Sequence, residues 1–209
     1  MTTPGGGHHT DDRRTDDGHT DGRHTDGRHT DDGYTDGRHT DPRHIVLVGM
    51  MGAGKSSVGR VLAARLGRPL LDTDDLVEEA TGRSVREIWA TDGEPAYREL
   101  EAGVLAEALA APAHSVIAAG GGIVLRAGNR AALASSDAYV VWLLADVDVL
   151  VQRARHGGHR PLLDDDPEGT LRRMFIDREP LYREVASAIV SVDNRSVNVV
   201  AQAVLRCRA

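Results

Sequence analysis

The sequence predicts a three-layer αβα fold, a parallel sheet of five strands covered by helices on both faces. Three observations predict it. Short apolar runs at residues 45–48, 69–71, 116–119, 138–144 and 188–192 have the length and continuity of strands buried on both sides. Helical stretches fill the intervals between them, and strands alternating with helices argue a parallel sheet. The apolar content also begins abruptly at His44, which leaves a body of about 165 residues, the size of one domain.

Upstream of that point, residues 1–43 form a degenerate five-residue repeat. From His9 to Arg43 it reads HTDDR, RTDDG, HTDGR, HTDGR, HTDDG, YTDGR and HTDPR. Nothing in it can be buried to offset the entropy of ordering the chain, so a disordered tail is expected. Its His and Asp side chains could hold a transition metal loosely; a passive, solvated segment is the favoured reading. The period is far shorter than that of solenoid repeats.

In the body, helical spacing from Lys55 to about Leu66 puts Val58, Val61, Leu62 and Leu66 on one face, and Gly67 ends the helix. Ser84 and Asp92 are expected helix N-caps, and a last helix is expected over residues 197–207. With so few aromatic residues, the core must be mostly aliphatic. In parallel sheets, ligands sit at the carboxyl ends of the strands, so the chemistry should lie just after Val48, Leu71, Ala119 and Leu144.

Composition excludes several function classes. Ten Asp against six Arg give the tail a charge of −4 and leave −3 of the total −7 on the body. Neither value, nor any basic helix, suggests nucleic acid. Cys207 is the one cysteine, so no disulfide can form within the chain, which fits a reducing cytosol. No apolar run is long enough to span a bilayer, and no secretory leader is evident. A cytoplasmic, monomeric protein without nucleic-acid or membrane partners is expected.

The residues Gly49-Met50-Met51-Gly52-Ala53-Gly54-Lys55-Ser56 fit G-x-x-x-x-G-K-[ST] at every fixed position, between a predicted strand and a predicted helix. Glycines let backbone N–H groups converge on phosphate oxygens, and the helix N-terminus adds partial positive charge. Lys55 should reach the outer phosphates of a nucleoside triphosphate, foremost ATP, and the Ser56 hydroxyl should ligate Mg²⁺. This is the phosphate-binding loop of a P-loop NTPase fold.

Asp72 and Asp74 follow the second strand at the same edge. One carboxylate can serve the Mg²⁺ shell and the other can take a proton from an attacking hydroxyl, although either could simply cap a helix. The third strand ends in Ala118-Ala119-Gly120, without the acid that many P-loop enzymes carry there, and Asp72 is the best replacement. The triple glycine Gly120-Gly121-Gly122 suits close approach of a ligand to the backbone, or a plain tight turn. Arg98 has Glu101 three residues on, close enough for an orienting ion pair. Arg98, Arg160 and Arg178, each taken alone, read better as solvated surface residues than as ligands.

Together these stretches resemble the shikimate kinase family, small P-loop kinases of the nucleoside-monophosphate-kinase type. The matching stretches are GMMGAGKSSVGR, LLDTD, TGRSVREIWATDGEPAYRELE, GGG, RPLL and REPLYREVA, in order across residues 44–209. The resemblance implies transfer of the γ-phosphate of ATP to the 3-hydroxyl of shikimate, with Mg²⁺. It implies that Arg98 and Arg178 clamp the shikimate carboxylate, and that Asp74 binds ring hydroxyls and is the candidate base. It places the glycines 120–122 against the substrate and implies that Gly52, Ala53, Gly54, Lys55, Ser56 and Ser57 hold the phosphates. Arg160 falls in a lid of about residues 156–167 that reaches them, and Arg155 and Arg195 fall where the family packs adenine. The usual Arg-Thr before the lid is absent, the stretch here reading Arg153-Ala154-Arg155. A kinase of another small metabolite, such as gluconate, is the neighbouring enzymatic reading. A GTP switch is disfavoured: no N-K-x-D motif occurs, and the D-x-x-G match at residues 166–169 follows no predicted strand.

Overall fold

All four side chains of β1 (Ile45–Val48) are shielded from solvent, as a strand enclosed between two helical layers requires. The computed structural model describes residues 43–156 and 166–208, without the side chains of 154–156. The expected tail over 1–42, Arg160 with most of the expected lid, and the Arg155 side chain therefore lie outside the described residues.

Four further strands pair with β1 in one parallel sheet: β2 (Leu70–Asp72), β3 (Val116–Ala118), β4 (Tyr139–Leu144) and β5 (Ala188–Ser191), in the order β2-β3-β1-β4-β5. The five predicted strands are present. β2 starts one residue later than its apolar pattern because Pro69 has no N–H to donate; its carbonyl still accepts from the Val116 amide at 2.9 Å. The chain leaves β1 toward the β2 edge and leaves β4 toward the β5 edge. The connections thus diverge above β1, where such sheets bind ligands.

The helices are α1 (Lys55–Leu66), α2 (Thr73–Thr81), α3 (Val85–Thr91), α4 (Gly93–Ala110), α5 (Ala127–Ser135), α6 (Val147–His156), α7 (Pro167–Val185) and α8 (Val197–Cys207). Helix α1 ends at Gly67 in the left-handed conformation, φ 62°. It packs beside α8, with Arg65 donating to Asn198 and Gln202 at 3.0 Å each. Helices α4, α5 and α7 pack on one another. Ser84 caps α3 in a reciprocal pair with Glu87, as expected. Asp92 stands at the N-cap position of α4, but its side chain makes no cap hydrogen bond: its carboxylate is drawn instead to Arg83, 2.7 Å away. The 166–169 match to D-x-x-G is a helix start, with Asp166 accepting from the Gly169 amide.

The core is aliphatic as expected, yet Trp142 of β4 and Tyr182 of α7 stack in it with centroids 5.7 Å apart. A second apolar cluster of Val77, Ile88, Tyr97 and Val104 joins α2, α3 and α4.

His44, only 7% exposed, locks the entry to β1. The Ser115 amide donates to its Nδ1 at 3.1 Å, and its Nε2 lies 3.2 Å from the Ala111 carbonyl. These partners select the neutral tautomer protonated at Nε2. Burial lowers the pKa of His44, the Ala111 contact opposes this, and His114 and Arg68 add repulsion. A base with a lowered folded-state pKa contributes stability that is complete above its usual value near 6.5 and is lost as pH falls through the folded value. Thermal unfolding should therefore show Tm falling between about pH 7 and pH 5, with a shallower slope for His44→Gln; equal slopes would remove His44 from the acid response.

Candidate active site

The loop between β1 and α1 turns through three glycines with positive φ: Gly49 at 143°, Gly52 at 83° and Gly54 at 92°. At Gly49 a side chain is also excluded by packing, because a Cβ would stand 2.6 Å from the Leu143 carbonyl oxygen of β4. The Lys55 ammonium reaches back over this loop, donating to the Gly49 and Met50 carbonyls at 2.9 and 3.1 Å. A cation and the first amides of α1 thus face the same space, which makes an anion site.

The Ser56 hydroxyl donates to Asp72 Oδ2 at 2.6 Å. Asp72 Oδ1 accepts from the Asp74 amide at 3.2 Å, so the same carboxylate caps α2. The capping and metal-side readings of Asp72 are therefore compatible. The register pairs Asp72 with Ala118, and Ala118 with Leu47, so β2 delivers its acid beside the position where β3 has none. A hydroxyl and a carboxylate in contact are hard oxygen donors, the kind Mg²⁺ takes alongside phosphate oxygens and water; the residues fit that ion.

From α6, Arg153 donates to the Gly52 carbonyl at 2.8 Å. The Arg155 side chain, expected at the adenine, lies outside the described residues. Ser57 lines the cavity and Ala53 is buried in the loop, its amide donating to Met50. Arg195 stands exposed past β5, with no hydrogen bond to the loop among the described residues.

The other end of the site is built on a buried carboxylate. Glu101 of α4 has no exposed surface, and Arg98 Nη1 donates to it at 2.8 Å. The remaining edge of the Arg98 guanidinium donates to half-exposed Glu94 from Nε and Nη2, at 3.1 and 3.0 Å. Its Cζ lies 5.5 Å from the Trp89 ring centroid and 5.1 Å from that of Tyr97. Burial pushes the Glu101 pKa up while Arg98 pulls it back. Burial would lower that of Arg98, but Glu101 and Glu94 outweigh it and raise it.

The triple glycine sits between these groups. The Gly120 amide donates to the buried Thr73 hydroxyl at 2.8 Å. The Gly121 carbonyl accepts from Arg178 Nη1 at 3.2 Å and from the Tyr182 hydroxyl at 2.5 Å. Burial pushes the Tyr182 pKa up to about 12, against the opposing pull of Arg178. Arg178 is only 6% exposed and the Arg98 side chain 11%, so one is buried and the other largely shielded, and neither is a solvated surface residue. Asp74 faces the cavity and accepts from the Tyr97 hydroxyl at 2.5 Å. Tyr97, Thr73, Tyr182 and Trp89 were missed as site residues; their types at those spacings carry no signal of the partners they meet.

One cavity of about 650 Å³ joins the two ends, lined by Lys55, Ser56, Asp72, Asp74, Arg98 and Arg178 together with the glycines. It can hold a phosphate chain at the loop, an acceptor carboxylate at the arginines, and an acceptor hydroxyl near Asp74.

A family profile described as shikimate kinase matches residues 51–208. A curated shikimate kinase of Symbiobacterium thermophilum is 50% identical over 162 residues, covering 76% of this chain and 92% of its own. One of Ruegeria pomeroyi is 43% identical over 166 residues, covering 79% and 84%. Among solved structures, a shikimate kinase from Acinetobacter baumannii in complex with shikimate superposes with a TM-score of 0.75 at 40% identity, covering 79% of this chain and 92% of that one.

The glycines give a test of the geometry. A Cβ at Gly122 would strike the Arg98 guanidinium, and one at Gly120 would strike the buried Glu101 carboxylate. Both substitutions press on the Arg98–Glu101 pair, so Gly122→Ala and Gly120→Ala should each lose about 1–3 kcal/mol of stability. Thermal unfolding checks this, and a wild-type Tm for either variant would contradict the arrangement.

Proposed function

The chain belongs to the shikimate kinase family, and on that premise we propose how its residues carry the family's reaction, transfer of the γ-phosphate of ATP to the 3-hydroxyl of shikimate, giving shikimate 3-phosphate and ADP. This is a step towards chorismate and the aromatic amino acids. The observation that supports these roles is the single cavity that puts a phosphate-binding loop and two largely shielded arginines on either side of Asp74.

ATP binds by its phosphates on the amides of residues 52–57 and on the Lys55 ammonium. Ser56 and Asp72 would hold Mg²⁺, which would neutralise phosphate charge. Arg98 and Arg178 hold the shikimate carboxylate, for which a planar guanidinium is better matched than an ammonium. Half-exposed Glu94 yields its edge of Arg98 to that carboxylate, while buried Glu101 keeps the other. The backbone of residues 120–122 lies against the acceptor ring. Asp74 accepts the proton of the 3-hydroxyl as the bond to phosphorus forms. The transition state is loose and little covalent chemistry falls to the protein, so positioning and charge neutralisation dominate. Arg160 adds charge at the phosphates from a lid over about 156–167, with Arg155 and Arg195 at the adenine. Residues 1–43 form a tail outside the catalytic domain of 44–209, and the protein works as a cytoplasmic monomer. Among the described residues no helix is long and apolar enough to cross a membrane.

A coupled assay of ADP release tests this with shikimate against gluconate and other small hydroxy acids; turnover should be confined to shikimate. Lys55→Ala should lower kcat at least about a hundredfold. Arg98→Ala and Arg178→Ala should each raise KM for shikimate about tenfold or more while the Kd for ATP stays unchanged; equal damage to both ligands would contradict the clamp. Removal of residues 1–43 should leave kcat/KM intact.

A further inference from the structure

Tyr97 is buried on α4, yet its ring would pack equally well without a hydroxyl. It lies within the apolar cluster of Val77, Ile88 and Val104, 5.7 Å from the Trp89 ring and beneath the Arg98 guanidinium. These contacts fix the ring, and the ring fixes the hydroxyl. That hydroxyl is 2.5 Å from Asp74 Oδ1 on α2 and 3.4 Å from Glu101 Oε1 on its own helix. A phenol has one proton, and the shorter contact takes it.

We propose that Tyr97 is a positioning residue for the phosphoryl transfer: its hydroxyl holds Asp74 by Oδ1 and leaves Oδ2 for the acceptor. Oδ2 has no hydrogen-bond partner among the described residues. Burial first, then the charges of Glu101 and Asp74, raise the phenol pKa, so the proton stays on Tyr97 and the phenol remains a donor. The carboxylate of Asp74 is thereby held in one orientation by a side chain that is itself fixed by packing. The same hydroxyl sits between Asp74 and the carboxylate that anchors Arg98. The helix that binds the acceptor's carboxylate therefore also orients the group that takes its proton.

This proposal rests on Asp74 as proton acceptor, and the test separates the two. In full-length protein, Tyr97→Phe should fold with little change in Tm and leave the KM for ATP unchanged. Its kcat at saturating shikimate should fall about three- to tenfold. In an Asp74→Asn background the same change should add nothing. A wild-type kcat for Tyr97→Phe, with Asp74→Asn inactive, overturns the role of Tyr97 and spares that of Asp74. Full activity of Asp74→Asn overturns both. If Tyr97→Phe does not fold, 4-fluorophenylalanine at position 97 keeps the shape without the donor. Its kcat should fall in the same way, and a wild-type kcat overturns the proposal.

Discussion

Glu101 carries a carboxylate with no access to water, and the acceptor half of the molecule is arranged around meeting it. An ion stripped of its hydration shell costs several kcal/mol unless a partner and further hydrogen bonds compensate. Arg98, three residues on the N-terminal side along α4, supplies the partner at 2.8 Å. Once held there, the guanidinium occupies the space where residue 122 would place a Cβ, and Glu101 Oε1 occupies the equivalent space at residue 120. The glycines at those positions follow from the ion pair as much as from any ligand. Breaking one partner leaves the other charge buried alone, at a cost of about 3–5 kcal/mol, so both stability and acceptor binding hang on one contact.

The phosphate half is joined to this by elements that serve two purposes. Asp72 closes β2, caps α2 and accepts from Ser56 of the phosphate loop, so any shift of the loop is felt at the start of α2, where Asp74 lies. Thr73 ties the same junction to Gly120, and Arg178 and Tyr182 bring α7 onto Gly121. Side chains held by such cross-links keep the angstrom-scale placement that in-line transfer demands better than side chains on free loops.

What was legible in the sequence divides along physical lines. The loop at 49–56 could be read because its function is performed by backbone, and backbone geometry imposes glycines at fixed local spacing. The strands could be read because burial on both faces leaves continuous apolar runs. The Arg98–Glu101 pair was visible as a helical spacing, but its burial was not, since depth is set by packing of α2, α3 and α4 together. Asp92 stands at the N-cap position of α4 as its spacing suggests, but Arg83, nine residues earlier, takes its carboxylate, so its side chain makes no cap hydrogen bond. Tyr97 with Asp74, Thr73 with Gly120 and Tyr182 with Gly121 meet across 23, 47 and 61 residues of chain. No local pattern encodes such meetings.

A site for two anionic substrates must also avoid repelling them with its own acids. The chain is negative overall, and Asp72, Asp74 and Glu78 all line the cavity, with Glu101 just behind. Each is committed to a donor of the protein: Asp72 to Ser56, Asp74 to Tyr97, Glu78 to the Val85 amide, Glu101 to Arg98. Donors so placed absorb part of each carboxylate's field before a ligand arrives, in a region where water screens poorly. The cations lining the cavity, Lys55, Arg98 and Arg178, are then left to act on an entering anion at close range. Asp74 keeps its second oxygen uncommitted among the described residues, which is a property a proton acceptor requires.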